Sequence, residues 1–405
     1  MGLLRNRDYR WWFAGDTAGA SAVALRAFVV PLFAFGLTGS TVLAGVVGTL
    51  TQALGTLAAI PGGVVIDRHD RRRLMRLYAA SGLVIWGTIT ILAATRHLTY
   101  PVFVLLAGLG ALLAGFFGLA TDAALRSLVS TTEYPRAAAA NQGRDAAVSL
   151  ASGPVGGFLY GLVSWLPFAT ALVGYAIAGL ATFGIRADLR PPAYDQRSIV
   201  GDIASAGRWI WGKPRLRHLL PMIMVVNFAV GGIFVGFQLW LLSQGFAPLQ
   251  IGWLSAAEAS ALLLGSLIAG AVVRRIPTGA LVAVTLGLLS LALVPTVASG
   301  RYGVILTSAA VGSLLIPSLN TGLLGYLFGL VPPELQGRVQ SVITVAVGGL
   351  AALAPLTAGW ALQALGYRTT ISTFLALLMA ATLAAAASRP IREIPRPDAW
   401  DTCPL

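Results

Sequence analysis

The length of its apolar runs constrains this chain more than any other feature. Membrane-length stretches of Leu, Ala, Val and Gly follow one another from residue 11 to residue 388, with only short polar segments between them. A helix needs roughly 20 apolar residues to cross the hydrocarbon core of a bilayer. The runs lack the ten-residue alternation of barrel strands, so helices are expected to satisfy the backbone within the membrane. Charged residues are 11% of the 405, against about 25% in a soluble domain. Such a chain cannot build a water-compatible surface and reads as an integral membrane protein.

The runs define twelve spans, at residues 11–37, 41–65, 74–95, 101–129, 137–163, 165–186, 216–243, 248–272, 279–299, 303–330, 338–365 and 368–388. The expected fold is an all-α membrane protein with twelve transmembrane helices in two six-helix bundles. Residues 1–187 would form the first bundle, 188–214 a cytoplasmic linker, 215–390 the second bundle and 391–405 a cytoplasmic tail. The start is basic but runs into a full span with no small-residue cleavage site, so it does not read as a cleaved signal.

Arginine sets the expected orientation. Arg5, Arg7 and Arg10 precede the first span, Arg68 to Arg76 follow the second, and Arg136 follows the fourth. Seven basic residues from Arg186 to Arg217 follow the sixth, and Arg274, Arg275, Arg338, Arg389, Arg392 and Arg396 continue on the same side. The opposite side offers only Arg96, Arg301 and Arg368. Basic residues gather in cytoplasmic loops, which places both termini on the cytoplasmic side of the inner membrane. The same rule accounts for the formal net charge of +13 without a nucleic-acid partner.

The two halves repeat. Gly45 and Gly63 recur as Gly252 and Gly270, and Glu133 and Pro154 recur as Glu334 and Pro355, at offsets of 207 and 201 residues. This is the pattern of a parallel repeat of two six-helix bundles. Between the halves, residues 198–212 admit a short amphipathic helix with Ile199, Ile203, Trp209 and Ile210 toward the membrane surface and Trp211 near the interface.

A charge knot, Gly63-Val-Val-Ile-Asp67-Arg68-His-Asp70-Arg71-Arg72-Arg73, joins the second and third spans. It fits the pattern Gly-x-x-x-Asp-Arg-x-Gly-Arg-Arg at every position except Asp70, where the pattern has Gly. The four-residue spacing puts Gly63 and Asp67 on one helix face, where Gly63 would admit a close neighbour. This loop, together with Asn6–Gly15, Ala140–Arg144, Gly153-Pro154-Val-Gly156-Gly157, Asp202–Leu216 and Pro332–Gln340, resembles the major facilitator exporters of the drug:proton antiporter-3 type. That group includes macrolide efflux proteins and the enterobactin exporter. Gly153, Pro154, Gly156 and Gly157 resemble the antiporter signature of the fifth helix.

The resemblance implies a cytoplasmic latch of Gly63, Asp67, Arg68 and Arg71, with Asp67 meeting the N-terminus of the eleventh helix and Arg71 pairing with Asp122 on the fourth. Asp122 and Arg126 stand one turn apart and also suit each other. Charges within spans are costly and are functional candidates by default. Glu258, alone on the eighth span, is the first choice for proton coupling, followed by Asp16 and Asp145. Helix-to-helix packing is the plainer role for Glu258. Arg26, mid-way along the first span, suits either an anionic substrate group or a nearby carboxylate. Asn227, Phe234, Gln238 and Asn320 complete the expected cavity, although such scattered polar residues also serve as helix–helix glue.

The function expected is a secondary transporter that exports a small amphipathic molecule (a natural product, siderophore or drug) by alternating access, in exchange for protons. A lipid or lysolipid flippase without proton coupling is the alternative. A non-transporting sensor would have lost the latch and the cavity charges. No phosphate loop or long soluble insertion suggests an enzyme. The single cysteine, Cys403, and three dispersed histidines offer no metal site. No cofactor is expected; the partners are the substrate, protons and the bilayer, and the chain is expected to be a monomer.

Overall fold

The computed structural model describes residues 3–191, 207–332 and 335–402. Among these the regular structure is helical. The first helices are α1 (Arg7–Thr38), α2 (Thr41–Arg68), α3 (Arg71–Ala94), α4 (Tyr100–Phe117), α5 (Ala120–Leu128), α6 (Tyr134–Leu162) and α7 (Leu166–Gly184). They continue with α8 (Pro214–Ser243), α9 (Pro248–Arg275), α10 (Thr278–Ala298), α11 (Tyr302–Ser313), α12 (Ile316–Gly329), α13 (Gln336–Ala351), α14 (Ala354–Ala387) and the short α15 (Arg389–Arg392).

Among the described residues ten segments are long and apolar enough to cross a membrane, and they map onto eleven of the twelve expected spans. One of them, Arg338–Ala387, holds two spans. It turns at Gly366, whose φ of 76° and ψ of 173° lie outside the helical region and suit a residue without a Cβ. The fifth span, α6, has the length to cross but carries Arg136, Arg144 and Asp145, so its composition is more polar than that of its neighbours. The fourth and tenth spans are each interrupted, between α4 and α5 and between α11 and α12.

Polar side chains start the first helices. Asn6 Oδ1 accepts from Asp8 and Tyr9 N–H, Ser40 Oγ from Leu43 N–H, and Asp70 Oδ1 from Arg72 N–H at 2.9 Å. These satisfy donors that a helix N-terminus leaves open. Asp70, where the loop pattern departs from its usual Gly, is therefore the cap of α3.

The chain divides into two compact units, Met1–Asp195 with Leu242–Ala256, and Gln196–Leu241 with Ala257–Leu405. In the first, small residues bring helix backbones together. A Cβ on Gly62 of α2 would lie 2.6 Å from Gly115 O on α4, and one on Gly174 of α7 would lie 2.7 Å from Ala18 O on α1. Van der Waals packing drives helix association in lipid, and small residues permit it. An aromatic cluster fills the centre: Phe33 lies 5.1 Å from both Phe103 and Phe168, and Trp86 stacks on Phe168 at 5.7 Å. In the second unit α10 packs on α14 and α11, and Phe374 of α14 fills the space beside Gly232 of α8. Large apolar side chains face outward, as a lipid environment demands; Leu105, Leu267 and Leu383 are among the most exposed.

Each unit is closed by the segment that leaves its last long helix. After α7, Ile185 and Leu189 are buried among Tyr9, Trp12, Leu125 and Leu128. Asp8 accepts from Arg186 and Ala187 N–H, Arg72 donates to Ala187 O, and Arg71 N–H donates to Leu189 O. After α14, Ile391 and Ile394 are buried. There Thr278 N–H donates to Pro395 O and Gly279 N–H to Ile394 O, at 3.2 and 3.0 Å. Trp400 adds a bond from Nε1 to Thr278 Oγ1 at 3.1 Å and rests on Tyr326. Outside the membrane span, Arg389 Nε lies 2.7 Å from Glu393 Oε1, and this hydrogen bond holds the Glu393 carboxyl below its usual range.

Of the expected amphipathic helix, Ile199 and Ile203 lie outside the described residues, as does Glu334 of the repeat. Within the described part, Trp209 is half-buried and Trp211 exposed. Ile210 is buried against the protein and does not face outward, because its side chain is only 2% exposed.

Candidate functional site

The first unit lines a half-open cavity of about 380 Å³. Its polar wall holds Asp16 from α1, Thr121 and Asp122 from α5, Arg144 and Asp145 from α6, and Tyr78 from α3. Val23, Ala24, Met75, Phe117 and Val148 supply most of the rest. Small residues make room: Gly15, Gly19 and Gly118 also line it.

An ion pair forms its base. Arg144 Nη2 lies 2.5 Å from Asp16 Oδ2, and the two side chains are 8% and 6% exposed. Thr121 Oγ1 donates to Asp16 Oδ1 at 2.7 Å, and Trp12 Nε1 donates to Thr121 O at 2.9 Å, tying α5 to α1. Arg144 also bonds Asn141, one turn earlier on the same face, and lies 3.0 Å from Asp145 Oδ1. Its guanidinium stands over Phe13 at 5.8 Å. A buried pair needs such extra bonds to offset desolvation.

Asp16 is thus buried and paired, not a water-exposed carboxylate near a helix end. Asp122 opens onto the cavity, and among the described residues it has no hydrogen-bond or salt-bridge partner. Neither expected partner reaches it. Arg126 turns to the Tyr134 ring, 5.9 Å away. Arg71 Nη1 donates to Ser127 Oγ at 3.0 Å, because α5 presents Ser127 to the start of α3.

Arg26 is absent from the cavity lining. It points between α3 and α7, 5.3 Å over the Trp86 ring and beside the phenols of Tyr78 and Tyr175. Tyr78 and Tyr175 meet edge to face at 5.6 Å. The lone cation is held by an aromatic cage, with no carboxylate in salt-bridge range among the described residues.

Of the latch residues, Asp67 and Arg68 lie exposed in the last turn of α2. Asp67 has no hydrogen-bond or salt-bridge partner among the described residues. The close approach expected at Gly63 occurs one residue earlier: a Cβ on Gly63 meets nothing within 4 Å, whereas Gly62 faces α4. The glycines of the α6 signature have distinct neighbours. Gly156 faces Phe28 of α1, a Cβ on Gly153 would lie 2.6 Å from Gly252 O, and Gly157 abuts the Pro248 carbonyl. Pro154 is half-buried between them.

Glu258 is half-buried on α9, with no hydrogen-bond or salt-bridge partner among the described residues. Asn227 Nδ2 donates to Ile223 O, one turn back on α8. Phe234 meets Phe237 edge to face at 6.1 Å, Gln238 is half-buried, and Asn320 is exposed on α12. None of these five lines the first-unit cavity. Sequence reasoning missed Thr121, Tyr78, Trp86 and Tyr175. For Asn141 and Arg144, their i, i+3 spacing was the available signal.

Membrane-length helices around a cavity with a buried ion pair define a membrane transporter fold. The chain belongs to the Major Facilitator Superfamily, whose model matches residues 17–247. No curated protein matches it. Among solved structures it is similar to a bacterial homologue of the iron transporter ferroportin in an inward-facing state, with TM-score 0.68, 16% identity and coverage of 95% of this chain and 99% of that one. It is also similar to the nucleoside transporter NupG (TM-score 0.69, 10% identity, coverage 93% and 99%). A third similar structure is the human organic anion transporter MFSD10 (TM-score 0.63, 19% identity, coverage 95% and 100%). At these identities the likeness is one of fold.

Proposed function

We propose that this multi-pass membrane protein is a secondary exporter of a small amphipathic organic molecule, driven by inward proton movement. One observation carries the reading: the Asp16–Arg144 pair is buried on the wall of a cavity inside a major facilitator bundle. Ionic groups are expensive within a membrane span and mark substrate or ion pathways. The signature around Gly153–Gly157 and the likeness to drug:proton antiporters support the direction. The natural product, siderophore and drug classes follow from that likeness alone.

In this reading two bundles alternate access to the substrate, and the chain works as a monomer in the inner membrane with both termini cytoplasmic. Glu258 is the proton carrier, because it is an acid on a span without a fixed counter-charge. Asp16 and Asp145 answer to the same proton through Arg144. Asp67, Arg68 and Arg71 latch the cytoplasmic side, so Asp67→Asn cripples transport while the protein still reaches the membrane. Unaltered transport by that variant removes the latch.

The test of function is an untargeted mass-spectrometric comparison of medium and cell extract, with and without the gene, in iron-replete and iron-starved growth. Export predicts a compound that vanishes from the medium and accumulates in cells. An unchanged medium with altered membrane lipids overturns the reading in favour of a flippase.

A further inference from the structure

We propose that the basic end of the seam between α1, α3 and α7 is a binding site for a phospholipid with an anionic headgroup. The inference needs only that the chain spans a bilayer, and it stands apart from the transport reading. α7 packs on both α1 and α3 and ends at Gly184. The Trp11 ring of α1 occupies the space beside Gly184, where a Cβ would overlap it. On the other side, the Arg76 guanidinium of α3 stands 4.3 Å over the Phe183 ring. Arg76 Nε also donates to Thr182 Oγ1 at 3.1 Å. An aromatic face and a hydroxyl thus hold this cation in place, and neither neutralises it. Phe183 is 69% exposed and Trp11 44%. Two large rings left open at the end of membrane spans suit the interfacial layer, where acyl chains meet headgroups.

The charge around these rings points to the occupant. Arg7, Arg10 and Trp11 share the exposed face of α1, while Tyr9 and Trp12 turn inward, and Arg186 is exposed just past the end of α7. The nearby carboxylates are taken up by backbone: Asp8 accepts from Arg186 and Ala187 N–H, Asp188 from Arg190 N–H and Asp70 from Arg72 N–H. Among the described residues, Arg7, Arg10, Arg76 and Arg186 have no carboxylate in salt-bridge range. They outnumber Asp8 and Asp188, so the seam carries a net positive charge. Guanidinium groups match phosphate oxygens in geometry, and basic pockets between spans hold anionic headgroups. A soluble anion would leave the two rings bare. A zwitterionic headgroup would bring its own cation toward the exposed arginines.

Phosphatidylglycerol and phosphatidylcholine with the same acyl chains differ only in the headgroup, so they test the charge of the site directly. The readout is lipid adducts counted by native mass spectrometry of the purified full-length protein in detergent. The expected result is that the first phosphatidylglycerol binds at least fivefold more tightly than phosphatidylcholine. Arg76→Gln should remove that preference. So should the paired change Arg10→Gln with Arg186→Gln, and because both side chains are exposed their loss leaves the packing intact. Arg96→Gln removes the same charge beyond the far end of α3 and leaves binding unchanged. Free glycerol phosphate, a headgroup without tails, does not compete. Equal binding of the two lipids, or indifference to Arg76→Gln and to the paired change, overturns the proposal. An equal loss with Arg96→Gln reduces the effect to overall charge and overturns it too. Displacement by glycerol phosphate replaces the lipid with a soluble anion.

Discussion

Arg144 reaches from α6 to place Nη2 2.5 Å from Asp16 on α1, and both side chains are more than nine-tenths buried. The pair is lopsided. Arg144 has Asn141, Asp145 and Thr17 besides Asp16, whereas among the described residues Asp16 has only Thr121 besides Arg144.

That asymmetry orders the single substitutions. Breaking a buried pair from one side costs about 3–5 kcal/mol, because the other charge is left uncompensated. Arg144→Gln should be the more damaging, stranding Asp16, and Asp16→Asn the milder. The double variant should recover part of the loss. Thermal unfolding in detergent measures all three, and strictly additive losses would remove the coupling.

Glu258→Gln should abolish uptake driven by a pH gradient into inverted vesicles while leaving substrate exchange intact. The variant removes the proton but keeps shape and hydrogen-bonding capacity. A variant that still concentrates substrate assigns Glu258 to packing.

The adjacent glycines of α2 should behave oppositely. A Cβ at Gly62 would lie 2.6 Å from a backbone oxygen of α4, whereas one at Gly63 meets nothing within 4 Å. Gly62→Val should cost about 1–3 kcal/mol through overpacking, and Gly63→Ala should be nearly silent in stability. Gly157→Leu should resemble Gly62→Val, since Pro248 already occupies that space. Melting temperatures of the three variants decide it.

Trp400→Ala should loosen the end of the second unit. It removes the bond to Thr278 and the contact with Tyr326. A loss of about 2 kcal/mol is expected, read as faster amide exchange at Thr278 and Gly279. Unchanged exchange there would show that Ile394 and Pro395 suffice.

Fold and site were legible in the sequence to different depths. Span length and hydropathy follow from bilayer thickness, a constraint local to each segment, so the helices could be read directly. The break at Gly366 and the polar α6 were also within reach, because both leave a composition signal. Pairings across helices were not. Asp16 and Arg144 are 128 residues apart, and no local spacing links them. Arg26 read as a cavity cation because its depth in the span is visible in the sequence, whereas its rotation toward Trp86 is not. The one-residue error at Gly63 has the same origin: one position turns a helix by about 100°, enough to exchange a packed face for an open one.

The two exit segments close their units at equivalent places, on the first turns of α3 and α10, but with different materials. Charge holds much of the first: the Asp8 carboxylate and the Arg72 guanidinium grip residues 186 and 187, beside the backbone bond from Arg71 N–H to Leu189 O. Backbone carbonyls and an indole fasten the second. Ions screen exposed charges over about 10 Å at 0.1 M and leave neutral contacts largely alone. Rising ionic strength therefore slackens one half of the molecule before the other. A duplicated architecture has become two fastenings with separate sensitivities, so salt acts on the halves unequally.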